Sequence, residues 1–345
     1  MEVKWLRAEE IAKKNGDLKP VLFKDGPTRF DINQGKLGDC WFLATLANLP
    51  AFPQVFDKVM DKNQSFENNP GIFRFKFWQY GEWVEVVVDD YLPTINNQLL
   101  FLQSNAPNEF WSALLEKAYA KLYGNYNLAL TGGLVGSSME DLSGGIAEPF
   151  FAEFPPFKVV LRAYQKGAML GAGINPKKRQ SEDIDIPNVS IKSNTIQDLK
   201  QQKYEDIKAK LEREKANFED PLFPKTKNTI GPIILDRSRR NEKFEHGLVD
   251  NHVYSITKVV EFEKKGETHQ LVRVRNPWGD KVEWTGAWSD NSSEWMALTS
   301  EEKSDLGLVQ EADGEFFMTY QDFCKVKFHQ FKPLKLFETI EFAAL

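Results

Sequence analysis

The spacing of apolar side chains predicts helical and extended segments in the first part of the chain. Residues 39–49 carry apolar side chains at helical spacing and are followed by Pro50, which predicts a buried helix that stops there. Residues 73–77 and 83–88 are rich in β-branched and aromatic side chains and flank a turn sequence at 79–81. This pattern predicts a β-hairpin.

A second predicted helix and two further strands follow this hairpin. Residues 109–122 place apolar side chains on one side of a helix, and Gly124 follows as a stop signal. The stretch 132–145 is rich in glycine and serine and is the predicted boundary between two lobes. Residues 253–262 and 271–274 then predict two strands, with a Lys-Lys-Gly-Glu turn between them. The order of these elements predicts an α+β protein.

The segment at about 175–244 differs from its surroundings in composition. It carries many Lys, Glu, Asp and Gln residues around one candidate helix at 196–215, for which Thr195 and Asp198 resemble a capping pair. Charge-rich runs are more often solvated surface segments than binding modules, so we interpret this segment as an insertion.

The overall composition is that of a globular protein. Of 345 residues, 41% are apolar and 27% charged, and 22 glycines with 17 prolines exclude a collagen-like or low-complexity chain. A balance of 44 basic against 50 acidic residues gives a net charge of −6, so no nucleic-acid footprint is expected. No apolar run approaches the ~18 residues of a membrane-spanning helix. The charged first residues resemble no secretory signal, so we expect a cytoplasmic protein.

Cysteine is scarce, which limits the chemistry available to it. The two cysteines, Cys40 and Cys324, are too few for a disulfide scaffold or a zinc cage. Cys40 stands at the start of a predicted helix, where free backbone N–H groups and the helix dipole favour a thiolate and lower the thiol pKa. Taken alone, however, a cysteine in an apolar helix is more often inert core filling.

His252 and Asn276 are candidates for a catalytic base and the group that orients it. Of the four histidines, His252 opens a predicted strand, and Asn276 begins the turn after the strand paired with it. An imidazole base needs such a polar group to fix its tautomer. The ordinary interpretations are a surface histidine and a turn-forming asparagine. The order Cys, His, Asn is papain-like, although both partners lie further from Cys40 than the usual papain spacing.

Five short blocks of the sequence follow one another as they do in a known family. They are QGKLGDCWFL at 34–43, EFWSALLEKAY at 109–119, GGIAE at 144–148, HVYS at 252–255 and RNPWG at 275–279. On these blocks the chain resembles the protease core of the calpains, which are calcium-dependent intracellular cysteine proteases, from about residue 23 to 323.

The resemblance implies a papain-like cysteine protease fold with two lobes that flank a cleft. Residues 1–144 would form the first lobe, with the nucleophile helix, and residues 145–335 the second, β-rich lobe, with the histidine and the asparagine. Residues 336–345 would be a tail or the start of a further domain. The charged insertion at about 175–244 would belong to the second lobe.

The resemblance also implies a role for each of five residues. Cys40 would attack the scissile carbonyl, His252 would shuttle the proton, and Asn276 would orient the imidazole. Gln34 would donate to the oxyanion together with the Cys40 backbone N–H. Trp278 would cover the bond between histidine and asparagine, although an ordinary core tryptophan remains the alternative.

Two calcium sites in the protease core are a further implication of the resemblance. Calcium prefers clusters of carboxylate and carbonyl oxygens. The first site would use the carboxylates of Asp31 and Glu109 with the carbonyls of Lys24 and Gly26. The second would use the carboxylates of Glu283, Asp290, Asp313 and Glu315 with the carbonyl of Glu311. Arg29 and Glu315 would link the two sites. Without the resemblance, scattered surface acids are the simpler interpretation.

The function implied is that of a calcium-dependent cysteine endopeptidase that cuts protein substrates at a limited number of positions. Two alternatives stay open: a catalytically silent, calpain-like calcium-binding regulatory module, and another papain-fold amide chemistry such as acyl transfer. Expected partners are protein substrates, with an inhibitor or a regulatory subunit as further candidates. We expect no nucleic-acid partner and no transmembrane segment, and a monomer for the isolated core.

Overall fold

The computed structural model describes residues 2–68, 71–151, 155–174, 245–249, 252–311, 313–324 and 339–344. These residues form helices and antiparallel sheets, which confirms the predicted mixture of helix and strand. The candidate helix at 196–215 and the whole charged segment at about 175–244 lie outside the described residues.

The helices of the described residues are mostly short. They are α1 (Ala8–Lys14), α2 (Cys40–Asn48), α3 (Pro53–Val59), α4 (Trp111–Leu122), α5 (Tyr126–Leu130), α6 (Val135–Ser143), α7 (Phe157–Gln165), α8 (Ser300–Leu306) and α9 (Tyr320–Cys324). Short 3₁₀ turns occur at Arg29–Asp31, Leu49–Ala51, Glu245–Gly247 and Ser293–Ala297. Within the described ranges, no helix has both the length and the apolar character needed to cross a membrane.

Eleven strands are described, and they form three antiparallel sheets. The strands are β1 (Lys4–Arg7), β2 (Ile72–Gln79), β3 (Glu82–Asp89), β4 (Tyr91–Ile95), β5 (Gln98–Leu99), β6 (Ile146–Phe151), β7 (Met169–Ile174), β8 (His252–Lys264), β9 (Glu267–Arg275), β10 (Glu315–Thr319) and β11 (Thr339–Ala344). The largest sheet has the order β10-β9-β8-β7-β11-β6, the second the order β1-β4-β5, and β2 pairs with β3. Residues 339–344 of the predicted tail thus lie inside the six-stranded sheet.

The buried apolar residues form separate clusters in the two halves of the sequence. One cluster gathers side chains from α1 to α6 and the strands β2 to β4, together with Met169 at the start of β7. A second lies between α7, α9 and the strands β7 to β10, and a third joins β9 and β10 to the aromatic side chains Trp288 and Trp295. The α2 helix belongs to the first cluster.

The structure contains the helix that carries Cys40 and the first hairpin where the sequence predicts them. The α2 helix begins at Cys40, with Asp39 as its N-cap, and passes into a 3₁₀ turn at Pro50. The turn between β2 and β3 has positive φ at both central residues, 53° at Tyr80 and 90° at Gly81. Such a turn matches the twist of the strands on either side.

The glycine-rich stretch at 132–145 differs from the sequence interpretation because most of it is helical. Val135, Met139 and Leu142 bury one side of α6 at helical spacing. Burial of these three side chains outweighs the low helix propensity of Gly136 and the serines. The helix ends at Gly144, whose φ of 73° places it in the left-handed region.

The second predicted pair of strands is present and longer than the sequence suggests. β8 and β9 pair along most of their length, and Ser255 lies opposite Arg275. Their turn again has two positive φ angles, 52° at Lys265 and 81° at Gly266. This pairing brings the first residue of β8, His252, close to Asn276, which directly follows β9.

Candidate active site

Cys40 lies at the exposed end of an otherwise buried helix. It is half-buried, whereas residues 41–48 of α2 are all buried. The Ser255 hydroxyl donates a hydrogen bond to the Ala44 carbonyl at 2.9 Å, and the Asn48 side-chain amide donates to the Leu170 carbonyl at 2.8 Å. Side-chain hydrogen bonds therefore fix the candidate nucleophile helix to β7 and β8.

His252 and Asn276 form a buried hydrogen bond. The distance from His252 Nε2 to Asn276 Oδ1 is 2.8 Å, and the two residues are 4% and 0% exposed. Asn276 is itself held, because its side-chain amide donates to the Val282 carbonyl and its backbone N–H to the Gly314 carbonyl. Since the Asn276 oxygen is an acceptor, it favours the tautomer with the proton on Nε2 and a free lone pair on Nδ1.

Trp278 contacts both members of this pair. Its ring centroid is 4.8 Å from that of His252, and its backbone N–H donates to Asn276 Oδ1 at 3.0 Å. Trp278 therefore limits access of water to the hydrogen bond and supplies the Asn276 oxygen with a second donor.

Gln34 lies beside the start of α2, as a donor to an oxyanion would have to. Its side-chain Nε2 donates to the Leu37 carbonyl at 2.7 Å and to Asp39 Oδ1 at 3.0 Å. Its backbone N–H donates to the Pro277 carbonyl at 2.8 Å. Both amide hydrogens thus have acceptors in the turn that precedes Cys40.

The turn after Asn276 packs against the segment that carries Gln34. Gly279 has a φ of +60°, and a Cβ atom placed on it would come within 1.7 Å of Asn33 Oδ1. The Arg275 guanidinium donates to the Ile32 carbonyl at 3.3 Å. Only glycine fits this close approach, which brings the segments of the two halves together.

Burial determines the protonation of the candidate nucleophile and base. Burial first and the Asp39 charge second raise the pKa of the Cys40 thiol to about 12, against the opposing effect of a backbone hydrogen bond at Val253. Burial lowers the pKa of His252 to about 4. The lowered thiol pKa expected from the helix dipole is therefore not found, because desolvation outweighs the dipole. Both shifts favour a neutral thiol and a neutral imidazole.

A polar cleft of about 480 Å³ lies beside Trp278. Asn33, Ser104, Asn105, Trp278 and Gly279 are among the residues that line it. Polar side chains and one half-buried aromatic ring are suited to a peptide, whose backbone needs donors and acceptors along its length. The residues that line this cleft do not include Cys40, His252 or Asn276.

Asp31 and Glu109, the carboxylates predicted for a first calcium site, are neighbours. Asp31 accepts hydrogen bonds from the Thr28 backbone and hydroxyl and from the Trp111 indole. Glu109 accepts from the Lys24 backbone N–H at 2.6 Å. Burial raises the pKa of Glu109 to about 7, and the nearby Asp31 charge adds to the shift. Lys24 thus lies at this cluster, and Gly26 lies in the same loop with a φ of +90°.

The acidic residues predicted for the second site also influence one another. Burial raises the pKa of Asp290 to about 7, and the charges of Glu283, Asp313 and Glu315 raise it further. The pKa of Glu283 is also raised to about 7, chiefly by burial. Both carboxylate oxygens of Asp290 are buried with no hydrogen-bond partner among the described residues. The Glu311 carbonyl accepts the Asp313 backbone N–H at 2.9 Å, so it lies in the same loop.

Arg29 and Glu315 form the predicted charged link. The guanidinium makes two hydrogen bonds to the carboxylate, at 2.8 and 2.7 Å, across 286 residues of sequence. Burial opposes ionisation of Glu315, but the charges of Arg273 and Arg29 outweigh it and hold its pKa below the ordinary value. This bidentate contact ties the loop of Asp31 to β10.

The donor sets of the two acidic clusters agree in part with what calcium requires. In the described part of the chain, no three side chains of His, Cys, Asp or Glu are gathered closely enough to hold a metal ion. The donors are nonetheless of the kind that calcium prefers, since carboxylates lie beside loop carbonyls. The unpartnered oxygens of Asp290 are the strongest sign of fit, because buried carboxylates without donors are costly.

Several residues of the site were missed by sequence analysis. Thr28 holds Asp31, and their spacing is a capping-box pattern that the sequence does show. Glu116 is 1% exposed and lies on the apolar side of α4, where a single acid among Leu and Ala residues is an available signal. Its neighbour Asp39 is 0% exposed. Neither acid could be paired with the other from sequence, because 76 intervening residues separate them.

A cysteine at a helix start beside a buried histidine–asparagine pair is typical of papain-type cysteine proteases. The profile described as calpain family cysteine protease matches residues 1–334. The chain therefore belongs to the calpain family, as the sequence blocks predict.

Individual relatives agree with this assignment. Calpain-A of Drosophila melanogaster is 39% identical over 329 residues, which cover 93% of this chain and 32% of the relative. The Calpain-2 catalytic subunit of Homo sapiens is 40% identical over 327 residues, covering 94% of this chain and 37% of the relative. The chain thus spans about a third of the length of these relatives.

Proposed function

We propose that this chain is a calcium-dependent cysteine endopeptidase with a Cys40–His252–Asn276 triad in a cleft between two papain-like lobes. The observation that carries the proposal is the buried 2.8 Å hydrogen bond from His252 Nε2 to Asn276 Oδ1, covered by Trp278. It lies at the ends of strands to which the Cys40 helix is fixed by hydrogen bonds. Family membership supports a cysteine peptidase.

The first step of the proposed reaction is proton transfer from Cys40 to His252. Asn276 keeps the proton of the neutral ring on Nε2, so Nδ1 is available as the base. Because burial keeps the thiol protonated in the free protein, this transfer accompanies attack of the sulfur on the scissile carbonyl. The imidazolium is then stabilised by its bond to Asn276.

The second step needs donors to the carbonyl oxygen as it becomes an oxyanion. The backbone N–H of Cys40 and one side-chain N–H of Gln34 supply them, after that N–H leaves its present acceptor. The C–N bond breaks as His252 returns its proton to the leaving amine. Water, deprotonated by His252, then hydrolyses the thioester and releases Cys40.

We further propose that the two acidic clusters hold calcium. Asp31 and Glu109 with the Lys24 and Gly26 carbonyls would form one site, and the carboxylates of Glu283, Asp290, Asp313 and Glu315 with the Glu311 carbonyl the other. When bound, the ion supplies positive charge that offsets carboxylates which burial otherwise keeps partly protonated. Arg29, held by Glu315, connects the two loops and so joins the two sites mechanically.

Substrates, partners and location follow only as proposals, because the chain spans about a third of its relatives. Protein substrates suit an endopeptidase of this family. An inhibitor or a regulatory subunit, a monomeric core and a cytoplasmic location stay predictions of the sequence.

A catalytically silent calcium-binding module is the second candidate. Two observations favour it: burial raises the thiol pKa of Cys40, and both side-chain hydrogens of Gln34 are engaged. In such a module the cleft would bind a peptide without cutting it.

The experiment uses a fluorogenic peptide, with calcium and with a chelator, and compares the parent with Cys40→Ala. Cys324→Ala, which removes the other cysteine, is the matched control. Calcium-dependent turnover that is lost in Cys40→Ala and kept in Cys324→Ala would support the proposal. No turnover, with alkylation of Cys40 by a thiol-directed epoxide retained, would point instead to acyl transfer. No turnover and no alkylation would indicate the silent module.

A further inference from the structure

Two buried carboxyl groups lie side by side next to the nucleophile. Asp39 immediately precedes Cys40 and is 0% exposed, and Glu116, in the middle of α4, is 1% exposed. Their carboxyl groups are within hydrogen-bonding contact of each other. In the described part of the chain, the salt bridges that involve Asp or Glu use other acids than these two.

Two touching carboxylates without a cation cannot both be ionised, so the pair shares one proton. Its position follows from the donors around the pair. Gln34 Nε2 donates to Asp39 Oδ1 at 3.0 Å, whereas the one donor to Glu116 among the described residues is the Leu102 backbone N–H, at 3.3 Å from each oxygen. Asp39 Oδ2 is buried and has no hydrogen-bond partner within the described ranges, so it is placed to accept the Glu116 hydroxyl.

The charge on Asp39 matters because the amide of Gln34 has two ends of nearly the same shape. An anionic acceptor binds the NH₂ end and repels the carbonyl end. If Asp39 carried the proton, its hydroxyl could donate to the carbonyl end instead, and the 2.7 Å hydrogen bond from Nε2 to the Leu37 carbonyl would be left as the contact that opposes turnover of the amide. Only the NH₂ end can donate to an oxyanion.

We propose that Asp39 and Glu116 are positioning residues: by keeping their shared proton on Glu116, they hold the NH₂ end of Gln34 in the orientation that the oxyanion requires. This inference rests on the proposed role of Gln34 in peptide cleavage. Burial supports the position of the proton, since it raises the pKa of Asp39 to about 6 and that of Glu116 well above its ordinary value.

Two other titratable groups face this pair. Cys40 follows Asp39, and burial and then the Asp39 charge raise the pKa of its thiol. The buried hydroxyl of Tyr126 on α5 lies near both acids, and its pKa is raised by burial and then by the charges of Glu116, Asp39 and Asp89. Neutralising Asp39 would therefore ease ionisation of the Cys40 thiol while it releases Gln34. A general loss of packing would not make the Cys40 thiol easier to ionise and at the same time weaken the oxyanion contact of Gln34.

The test compares Glu116→Gln with Glu116→Leu in the full chain with calcium. Glutamine donates to Asp39 and accepts from Leu102 as protonated glutamate does, so kcat should stay within about 3-fold of the parent. Leucine removes the donor, so Asp39 takes up the proton itself, and kcat should fall by about 10²-fold, the size of a lost oxyanion donor. In Glu116→Leu, KM should be unchanged, and Cys40 should be alkylated by iodoacetamide as fast as in the parent or faster. The kcat of this variant should recover as the pH rises and Asp39 ionises.

Glu140→Gln, which replaces another buried glutamate, is the matched control and should leave all these values unchanged. An infrared difference spectrum of the parent minus Glu116→Gln at neutral pH should contain the C=O band of a protonated carboxyl group. The inference would be overturned by a 10²-fold loss in Glu116→Gln, by parallel losses of kcat and alkylation in Glu116→Leu, or by absence of the infrared band. If the parent showed no calcium-dependent turnover, the proposed function would fail, whereas the infrared band would still decide whether the proton is shared.

Discussion

Asn276 illustrates how one side chain combines a structural and a chemical task. Its oxygen accepts from His252 and from the Trp278 backbone, and its amide donates to the Val282 carbonyl. These contacts restrict rotation of the amide, and the bond to Nε2 fixes the orientation of the imidazole. In the proposed peptidase, the orientation of the base would therefore depend on hydrogen bonds rather than on a charged partner.

Replacing Asn276 should therefore slow catalysis more than it weakens binding. In Asn276→Ala the imidazole loses its orienting acceptor, and we expect kcat for a fluorogenic peptide to fall by about 10²-fold with little change in KM. Asn276→Asp keeps an acceptor for Nε2 and should retain more activity than the alanine variant. Equal losses in both variants would contradict this role.

The protonation of His252 should appear in the stability of the protein. Its pKa is lowered by burial from 6.5 to about 4, so the unfolded chain binds the proton first as the pH falls. The contribution of a neutral His252 is complete above pH 6.5 and is lost between 6.5 and about 4, by about 3 kcal/mol. The difference in unfolding free energy between the parent and His252→Gln, measured by urea titration across this range, should fall with pH. A constant difference would contradict the burial of a neutral ring.

The turn after β9 shows how a glycine can be required by the close approach of one side chain. Gly279 combines a positive φ with a close approach to Asn33, whereas Gly266 in the β8–β9 turn has a positive φ of +81° and open space around it. A substitution at Gly266 therefore tests backbone strain alone, whereas one at Gly279 tests backbone strain together with a steric clash. That clash would be with Asn33, which lies in the first half of the chain.

Alanine at these two positions should have unequal effects. Gly266→Ala incurs only the strain of the left-handed region, about 1 kcal/mol, whereas Gly279→Ala must also displace Asn33 and should lose about 3 kcal/mol or more. Thermal unfolding of the two variants checks the order. Peptidase activity should fall in Gly279→Ala alone, and equal effects would argue against the steric account.

Sequence alone predicted the elements whose signals are local. The apolar run ending at Pro50 and the paired strands β8 and β9 followed from spacing and turn residues, and the order of Cys40, His252 and Asn276 followed from the chain. The helix α6 could not be predicted, because its three buried side chains stabilise a helix only when they have a surface to pack against. The raised pKa of the Cys40 thiol could not be predicted either, since desolvation depends on neighbours that are distant in sequence.

The acidic clusters belong to the scale of the whole molecule, because each joins loops that are far apart in the chain. Glu109 and Asp290 both have a pKa raised to about 7, chiefly by burial. A divalent cation would oppose both shifts, because its positive charge would stabilise the ionised carboxylates. Folding and metal binding should then be coupled.

Calcium should accordingly raise the unfolding temperature of the parent. A site saturated at about 100 times its dissociation constant contributes about 2.7 kcal/mol. Asp290→Asn should lose the contribution of one site and Asp31→Asn that of the other, whereas Asp57→Asn, an exposed control, should behave as the parent. The gain should also shrink between pH 8 and 6, because the carboxylates then bind protons instead. A calcium shift that survives in the Asp31→Asn, Asp290→Asn double variant would place the metal elsewhere.

The position of β11 has a consequence for how the molecule is made. β6 and β7 are joined only through β11, so the six-stranded sheet is interrupted until residues 339–344 are available. A nascent chain that has not yet emerged to this point carries two open strand edges, which are sites of unwanted association. The joining of β6 to strands β7 to β10 should therefore wait for β11, and deletion of residues 339–344 should favour aggregation during synthesis.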